Sequence, residues 1–278
     1  MANYKKYRRP IPLGKKIGIG ALAAVAAFFL IIFVIKLLGF RYIELTREDG
    51  TVVKFSGKIA ATGAPASGTL YFSDGVTAKV EEGGATLVYS DGVRYTGQLS
   101  AAYRRNGQGS ITLSSGDVYT GAFVNDAITG YGVYTFKNGD VYEGNLVDGL
   151  KHGHGRYTYA NGDVYEGNFY NDFRDGEGKF TWADGSYFEG IYAGGLKTGK
   201  GTYKYANGDV YEGNFEQDMR QGQGKYVWAS GETYEGEFYN NTFHGMGTYV
   251  WNGTDGRASY SGYFENGQIK IIKQGSNS

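Results

Sequence analysis

The chain has 278 residues, of which 47 are glycine, 26 are tyrosine and only 3 are proline, and it contains no cysteine. This composition excludes disulfides and thiolate metal sites, and the lack of a three-residue glycine period excludes collagen. The net charge of zero hides an asymmetry: residues 1–41 carry eight basic and no acidic residues, so 20 basic residues face 28 acidic ones beyond them, a net of −8. An acidic body of this kind disfavours binding to nucleic acid or to anionic lipid headgroups.

A membrane anchor is predicted near the N-terminus. Residues 17–35 form an uncharged apolar run of 19 residues, and further apolar residues follow up to residue 40. A helix rises about 1.5 Å per residue, so this run is long enough for a bilayer core of about 30 Å. We therefore predict a transmembrane helix over residues 17–40, preceded by a short basic cytoplasmic tail over residues 1–16.

A cleaved signal peptide is the alternative interpretation of this segment. In a signal peptide the small residues follow the apolar region, whereas here the alanine-rich residues 21–27 precede Phe28, Phe29 and Phe33. This order favours a retained anchor, and it makes the three phenylalanines candidate contacts with a membrane partner. Six basic residues precede the run, so the positive-inside rule predicts a single-pass cell-membrane protein with a cytoplasmic N-terminus and the rest of the chain outside.

A fixed period runs through the rest of the chain. Asn, Asp or Ser precedes Gly at equal intervals, at Ser115-Gly116, Asn138-Gly139, Asn161-Gly162, Asp184-Gly185, Asn207-Gly208 and Ser230-Gly231. Gly-x-Gly triplets recur with the same period, from residues 107/109 to residues 245/247. Asn-Gly and Asp-Gly supply the positive φ values that a two-residue hairpin turn requires. The period therefore predicts a stacked repeat of about ten hairpins over residues 41–273.

The repeat also predicts where the aromatic side chains lie. In one repeat, strands at Gly155–Tyr159 and Val164–Phe169 flank the turn at Asn161-Gly162, and period-two alternation places the aromatic residues of each strand on one face. Four columns recur at this spacing: Tyr142, Tyr165, Phe188, Tyr211, Tyr234, Tyr260; Leu146, Phe169, Tyr192, Phe215, Phe238, Phe264; Tyr134, Tyr157, Phe180, Tyr203, Tyr226, Tyr249; and Phe136, Tyr159, Trp182, Tyr205, Trp228, Trp251.

The string Asn-Gly-Asp-x-Tyr-Glu-Gly-Asn-Phe, at residues 161–169 and 207–215, resembles a MORN repeat (membrane occupation and recognition nexus), as does the segment 148–155. The resemblance covers about residues 90–265; residues 41–90 are degenerate, because Ala78 stands where an aromatic residue is due. It implies an all-β fold, an elongated single-layer antiparallel sheet of stacked hairpins, and scaffold and self-association roles. Residues 274–278 are predicted to be a disordered tail.

The aromatic columns are interpreted first as the core, because a single sheet has no second layer to cover its rings. The alternative is a platform for sugar rings or for a partner peptide. Trp182, Trp228 and Trp251, together with Tyr205, lie in the column nearest the turns, so these four are the candidate surface contacts.

No residue is predicted to be catalytic, to bind a cofactor or to bind a metal. The acidic column Glu143, Glu166, Glu189, Glu212 and Glu235 follows from the repeat, whereas a glycosidase needs two carboxylates in different environments. Three histidines, at positions 152, 154 and 244, are too few or too far apart for a metal site, and no phosphate loop or nucleophile elbow is present. We therefore expect a protein that is not an enzyme.

Two functions remain. The first is a membrane-anchored, non-enzymatic scaffold that assembles or oligomerises a membrane enzyme on the extracytoplasmic side, with a bacterial cellulose or other β-glucan synthase as the expected partner. The second is a stand-alone carbohydrate- or envelope-binding module that uses an aromatic face. The expected partners are a membrane-embedded enzyme such as a glycosyltransferase, further copies of the chain, and a polysaccharide. Nucleic acid is not expected.

Overall fold

A computed structural model describes the backbone of residues 13–61, 65–81, 86–253 and 256–270, and it describes side chains from residue 24 onward except at residues 256 and 257. Most of the predicted cytoplasmic tail, residues 1–12, and the predicted disordered tail, residues 274–278, lie outside the described residues.

The predicted N-terminal helix is present as α1, Leu13–Leu37. Its end is capped: the Leu38 N–H donates to the Val34 carbonyl at 2.9 Å, and Gly39 takes a φ of 83°, the left-handed conformation that commonly ends a helix. The first strand follows at Phe40 without a linker. Within the described part of the chain, no helix combines the length and the apolar character needed to cross a membrane. The helix prediction is confirmed, and its transmembrane part receives no support from the structure.

Twenty-one strands follow α1 in the described residues. They are β1 Phe40–Thr46, β2 Val52–Ile59, β3 Pro65–Phe72, β4 Thr77–Val80, β5 Thr86–Tyr89, β6 Arg94–Leu99, β7 Arg105–Thr112, β8 Val118–Val124, β9 Ala127–Thr135, β10 Val141–Val147, β11 Leu150–Thr158, β12 Val164–Tyr170, β13 Phe173–Thr181, β14 Tyr187–Ala193, β15 Leu196–Lys204, β16 Val210–Glu216, β17 Met219–Val227, β18 Thr233–Tyr239, β19 Thr242–Gly253, β20 Gly256–Glu265 and β21 Gln268–Lys270. The chain divides into two compact units, one of residues 1–94 with 101–103 and one of residues 95–100 with 104–278.

The first unit contains α1 and strands β1 to β5, which pair antiparallel in chain order. Its core is small and mostly aliphatic. Phe55, Leu70 and Ala78 have no exposed surface, and Phe55 lies 6.2 Å from the Tyr103 ring. Ala78 is thus a core residue, although it is too small to continue an aromatic column, which accounts for the degenerate sequence of this region.

The second unit is an antiparallel meander in which β7 to β21 each pair with their neighbours in the chain. Tyr165 of β12, for example, lies opposite Tyr157 of β11 and Phe180 of β13. The principal contacts between elements are those between consecutive strands. The predicted single-layer antiparallel sheet of hairpins is therefore confirmed within this unit.

The predicted Asn-Gly turns are present, but they are loops of another type. At residues 160–162 the Gly162 N–H donates to the Tyr159 carbonyl at 2.9 Å, and the Tyr159 N–H donates to the Asp163 carbonyl at 2.9 Å. Gly162 has a φ of 94°, and Asn161 is not among the residues with positive φ. This is a three-residue loop with one left-handed glycine. The two-residue prediction was wrong because Ala160 also belongs to the loop.

The two-residue turns lie at the opposite ends of the strands. Asn171 and Asp172 have φ values of 46° and 73°, and Asp148 and Gly149 have values of 50° and 83°, so both central residues are left-handed, as a type I′ turn requires. Asn and Asp tolerate this conformation better than other non-glycine residues. In the second unit we call this side of the sheet the turn edge and the side with the three-residue loops the loop edge.

A row of tyrosines folded over glycines forms the core of the second unit. The Tyr165 ring lies across Gly167 and Gly178, which face each other on neighbouring strands. Its hydroxyl donates to the Asn168 carbonyl at 3.0 Å, and its edge meets the Phe169 ring at 5.0 Å. Burial raises the pKa of Tyr165 to about 12, so the hydroxyl stays protonated and remains a donor. Without glycine at these positions the ring could not reach the backbone.

We predict that Gly167→Ala lowers the free energy of unfolding by about 3 kcal/mol. The added Cβ would lie 2.5 Å from the Gly178 Cα and 2.7 Å from the Tyr165 hydroxyl. Gly178 cannot withdraw without disturbing the strand pairing, and Tyr165 cannot withdraw without losing its hydrogen bond to the Asn168 carbonyl. Gly185→Ala is the control: its Cβ would meet no atom within 4 Å, but its φ of 85° makes the change cost about 1 kcal/mol. Urea denaturation measures both, and equal losses would contradict the prediction.

We also predict that Tyr165→Phe costs about 1 kcal/mol, because the Asn168 carbonyl loses a hydrogen bond. Phe188 occupies the equivalent position one repeat later and is fully buried without a hydroxyl. The reciprocal Phe188→Tyr should raise stability by a similar amount, since the Ile191 carbonyl is the equivalent acceptor. If neither variant shifts the urea midpoint, the hydroxyl has no part in stability.

Candidate aromatic binding surface

The aromatic face of the second unit carries rings at two depths. The first two predicted columns, apart from the half-buried Tyr260, make a buried row. Rings such as Tyr211 and Phe215 pack edge to face at 5.1 Å with an interplanar angle of 89°. The other two columns are half-buried, apart from the more deeply buried Phe180. We call them the aromatic strip: Tyr134, Phe136, Tyr157, Tyr159, Phe180, Trp182, Tyr203, Tyr205, Tyr226, Trp228, Tyr249 and Trp251. Neighbouring centroids in the strip are 4.3 to 5.8 Å apart.

The four predicted surface contacts all belong to the aromatic strip. Trp182, Tyr205, Trp228 and Trp251 are half-buried, in agreement with the expectation that the column nearest the loops is partly exposed. The rings are tilted rather than stacked: Trp182 makes an angle of 30° with the next ring, and Trp228 makes one of 49°. Each ring therefore covers part of its neighbour and leaves part of its own surface to solvent.

A row of basic residues beside the strip was missed by the sequence analysis. Lys151, Arg174, Lys197 and Arg220 recur with the period of the repeat and lie among the rings. The Arg174 guanidinium, for example, is 5.3 Å from the centroid of the Phe180 ring. Cations at this distance from aromatic faces are attracted by the ring quadrupole. The signal was available in the sequence as a basic residue at one fixed position of the repeat.

The basic row alternates between two kinds of partner. The Lys151 ammonium lies 2.8 Å from the Asp172 carboxylate, and Lys197 lies 3.3 Å from Asp218. Arg174 instead donates to the Gly195 carbonyl at 2.9 Å. The arginine thus has a neutral backbone carbonyl as its hydrogen-bond partner, whereas each of the two lysines faces a carboxylate.

A row of acidic residues borders the strip at the loop edge. Asp140 accepts hydrogen bonds from the Tyr157 hydroxyl at 2.7 Å and from the Ala160 N–H at 2.8 Å. The same pattern joins Asp209 to Tyr226 at 2.7 Å and to Ala229 at 2.9 Å. The hydrogen bond from Tyr157, with that from Ala160, lowers the pKa of Asp140. Each of these carboxylates connects one loop to the next.

The opposite face of the sheet is polar. The predicted acidic column lies on this face and is exposed, and three of its members pair with cations: Glu166 with Arg156 at 2.9 Å, Glu189 with Lys179 at 3.0 Å, and Glu235 with Lys225 at 3.7 Å. These pairs lie at equivalent positions of three repeats, and Thr202 faces Glu212 at the same position of a fourth. They agree with the structural interpretation of the column.

Two of the three histidines lie against tyrosine rings. His152 lies against the Tyr170 ring at 5.1 Å, and His244 lies 5.6 Å from Tyr239 in the same way. Over the ranges that the structure describes, no three His, Asp or Glu side chains are arranged to hold a metal ion.

The three candidate membrane-partner contacts lie on α1. Phe28, Phe29 and Phe33 are 60%, 64% and 62% exposed, and the first two rings are 6.0 Å apart. Large apolar side chains with this exposure in a helix have no protein layer over them.

The sequence model of the MORN repeat matches six consecutive segments, at residues 119–141, 142–164, 165–187, 188–210, 211–233 and 234–254. Residues 119–254 are MORN repeats. Each matched segment begins at a ring of the buried row, as at Tyr142 and Tyr165, so the period of the repeat is the period of the tyrosine–glycine core. The match is narrower than the predicted extent of about residues 90–265.

Other comparisons add little. A search of curated proteins finds no match. Among solved structures, the TCP domain of SAS-4 from Drosophila melanogaster, in complex with a proline-rich motif of Ana2, matches with 14% identity and a TM-score of 0.35, over 60% of this chain and 94% of that chain. The TCP10 domain of CPAP from Danio rerio matches with 11% identity and a TM-score of 0.33, over 75% and 88%. Scores this low do not establish a common fold.

We predict that Asp209→Asn weakens the MORN repeats by about 1 to 2 kcal/mol at neutral pH. Burial opposes the ionisation of Asp209, but hydrogen bonds from Tyr226, Ala229 and Asn207 outweigh it and lower its pKa below the ordinary 3.8. Its contribution is therefore complete above pH 3.8 and is lost as the pH falls below that value.

The measurement for Asp209 is the urea midpoint at neutral pH and at a pH below 3.8. The wild type should lose more stability on acidification than Asp209→Asn does. Glu212→Gln removes an exposed carboxylate on the polar face. On acidification this variant should lose as much stability as the wild type. Parallel acid profiles for all three proteins would refute the role given to Asp209.

Proposed function

We propose that this MORN-repeat protein is a non-enzymatic scaffold that is anchored in a cell membrane and assembles a membrane enzyme. The observation that carries the proposal is the row of exposed apolar side chains on α1, which includes Phe28, Phe29 and Phe33. Water is an unfavourable environment for such a surface, and either a bilayer or a membrane-embedded partner would remove it from water.

The sequence supports the orientation of this anchor. The apolar run of residues 17–35 is preceded by six basic residues and no acidic residue, whereas the chain beyond residue 41 is acidic. By the positive-inside rule the N-terminus is then cytoplasmic and the repeats are extracytoplasmic. The repeats would then be the part of the chain that organises a partner on the outer side.

The proposed partner is a membrane glycosyltransferase that makes an envelope polysaccharide, such as a bacterial cellulose or other β-glucan synthase. Such an enzyme releases its product on the side where the repeats would lie. The half-buried rings of the aromatic strip and the polar rows beside it offer a surface for that product, and further copies of the chain are a second proposed partner.

The test is the composition of the complex that the native, detergent-extracted protein forms. We expect mass spectrometry to find a multi-span glycosyltransferase with the protein. In the triple variant Phe28→Ala, Phe29→Ala and Phe33→Ala, the amount of co-eluting enzyme should fall at least tenfold, because the apolar contact surface is removed. The variant itself should still fractionate with the membrane.

The matched control is Tyr170→Ala with Phe173→Ala, which removes two exposed rings, 58% and 59% accessible, from the second unit. This control should retain the enzyme. If the wild type elutes alone, or if deletion of the protein leaves glucan output unchanged, the proposed scaffold function is wrong.

A second candidate function is a carbohydrate- or envelope-binding module that acts without an enzyme partner. The observation that favours it is the aromatic strip, whose rings keep exposed surface although the buried row already forms the core. The two functions differ in whether the glycosyltransferase co-elutes with the protein.

A further inference from the structure

We infer that the aromatic strip binds an extended, neutral β-linked glucan chain, with one disaccharide unit on each MORN repeat. The inference rests on the carbohydrate-binding role proposed above and gives it a ligand class and a register. It is carried by three features of the second unit: the spacing of equivalent rings, the surface that these rings leave open, and the mixed charges beside them.

The spacing comes from the sheet itself. Trp182, Tyr205, Trp228 and Trp251 occupy the same position of successive repeats, and each repeat contributes two strands. Neighbouring strands lie about 4.8 Å apart, so equivalent rings recur about every 10 Å across the sheet. The disaccharide unit of an extended β-linked glucan has closely similar length. Successive sugars in such a chain are inverted, so every second sugar presents the same face, and equivalent rings would meet equivalent sugars.

The open surface comes from the tilt of the rings. Trp228 lies 4.6 Å from Tyr226 and 5.2 Å from Tyr249, at angles of 53° and 49°, and it is half-buried. One part of the indole is thus covered by its neighbours and the other part is accessible. A sugar ring has an apolar face of C–H groups that can pack on such a surface, while the indole N–H is a hydrogen-bond donor for a hydroxyl.

The charges beside the rings select a ligand that is neutral and rich in hydroxyl groups. Tyr226 shows both kinds of neighbour: its hydroxyl donates to Asp209 at 2.7 Å, and the Arg220 guanidinium lies 5.3 Å from its centroid. Tyr157 is placed in the same way between Asp140 at 2.7 Å and Lys151 at 5.6 Å. Hydroxyl groups donate to carboxylates and accept from cations, so a sugar chain satisfies both rows at once.

The same rows disfavour two other polymers. An acidic polysaccharide would meet the carboxylates of Asp140 and Asp209, and like charges repel at short range. A proline-rich peptide can also lie along aromatic grooves, but its prolines supply only carbonyl acceptors and add no hydrogen-bond donor toward the acidic row. Both polymers therefore serve as competing ligands in the test.

The test is a titration of the full-length protein in detergent, followed by tryptophan fluorescence. The ligands are cellobiose, cellotetraose and cellohexaose. Each added disaccharide should reach one more ring and tighten binding about fivefold. Cellohexaose should also protect the tryptophans from quenching by iodide, a readout that needs no variant.

The variant for this titration is Trp182→Ala with Trp228→Ala, which should weaken cellohexaose binding at least tenfold and remove the length dependence. Tyr170→Ala with Phe173→Ala leaves the strip intact and should bind like the wild type. Circular dichroism checks the fold of both. If the tryptophan variant does not fold, Trp182→Phe with Trp228→Phe replaces it and should retain the length dependence with weaker binding.

Several results would overturn the inference. Three results would exclude the binding of one disaccharide unit by each repeat of the strip. They are equal binding of the three oligosaccharides, absence of protection from iodide, and equal weakening of binding by the control variant. Tighter binding of polygalacturonate or of a proline-rich peptide than of cellohexaose would assign the strip to another ligand. Retention of the glycosyltransferase is measured separately, so a failure here leaves the scaffold function standing.

Discussion

The structure depends on a contact between a tyrosine ring and a pair of glycines. A one-layer sheet cannot bury a side chain against a second layer, so its own rings must cover the backbone. The Tyr165 ring does so by lying over Gly167 and Gly178, and its hydroxyl donates a hydrogen bond to the Asn168 carbonyl. Every repeat that starts with such a ring closes the gap left by its glycines. Phe169, whose ring meets Tyr142 of the preceding repeat edge to face at 5.3 Å, closes the gap between repeats.

That contact also explains why half of the rings are buried and half are not. Burial follows position relative to the glycines: Tyr211 stands two residues before Gly213 and is fully buried, whereas Trp228 has no such glycine and is half-buried. The outer rings therefore keep part of their surface exposed because the core has no glycine for them to lie over. Acidic and basic residues then border it, with Asp209 and Arg220 around Tyr226 as one instance.

Much of this could be predicted from the period. The strands, the antiparallel order and the aromatic face follow from alternation within a single repeat, and Gly162 marks its loop because only a left-handed residue fits there. The type I′ turn at Asn171 and Asp172 was not recognised, because neither residue is glycine and the turn changes its residues in each repeat. The basic row was missed because Arg174 and its equivalents are ordinarily surface residues; their place among the rings depends on register across strands, which one repeat does not reveal.

The hydrogen bonds that cross from one loop to the next have a consequence for the history of such a chain. Asp140 and Asp209 each reach only the following loop, and each buried ring meets only adjacent repeats, so every repeat unit interacts mainly with its neighbours. A gene that gains or loses one whole unit therefore keeps every remaining contact in register, whereas a shift of a few residues breaks it. Length can then vary by duplication without redesign of the core, and the reach of the surface would vary in the same steps.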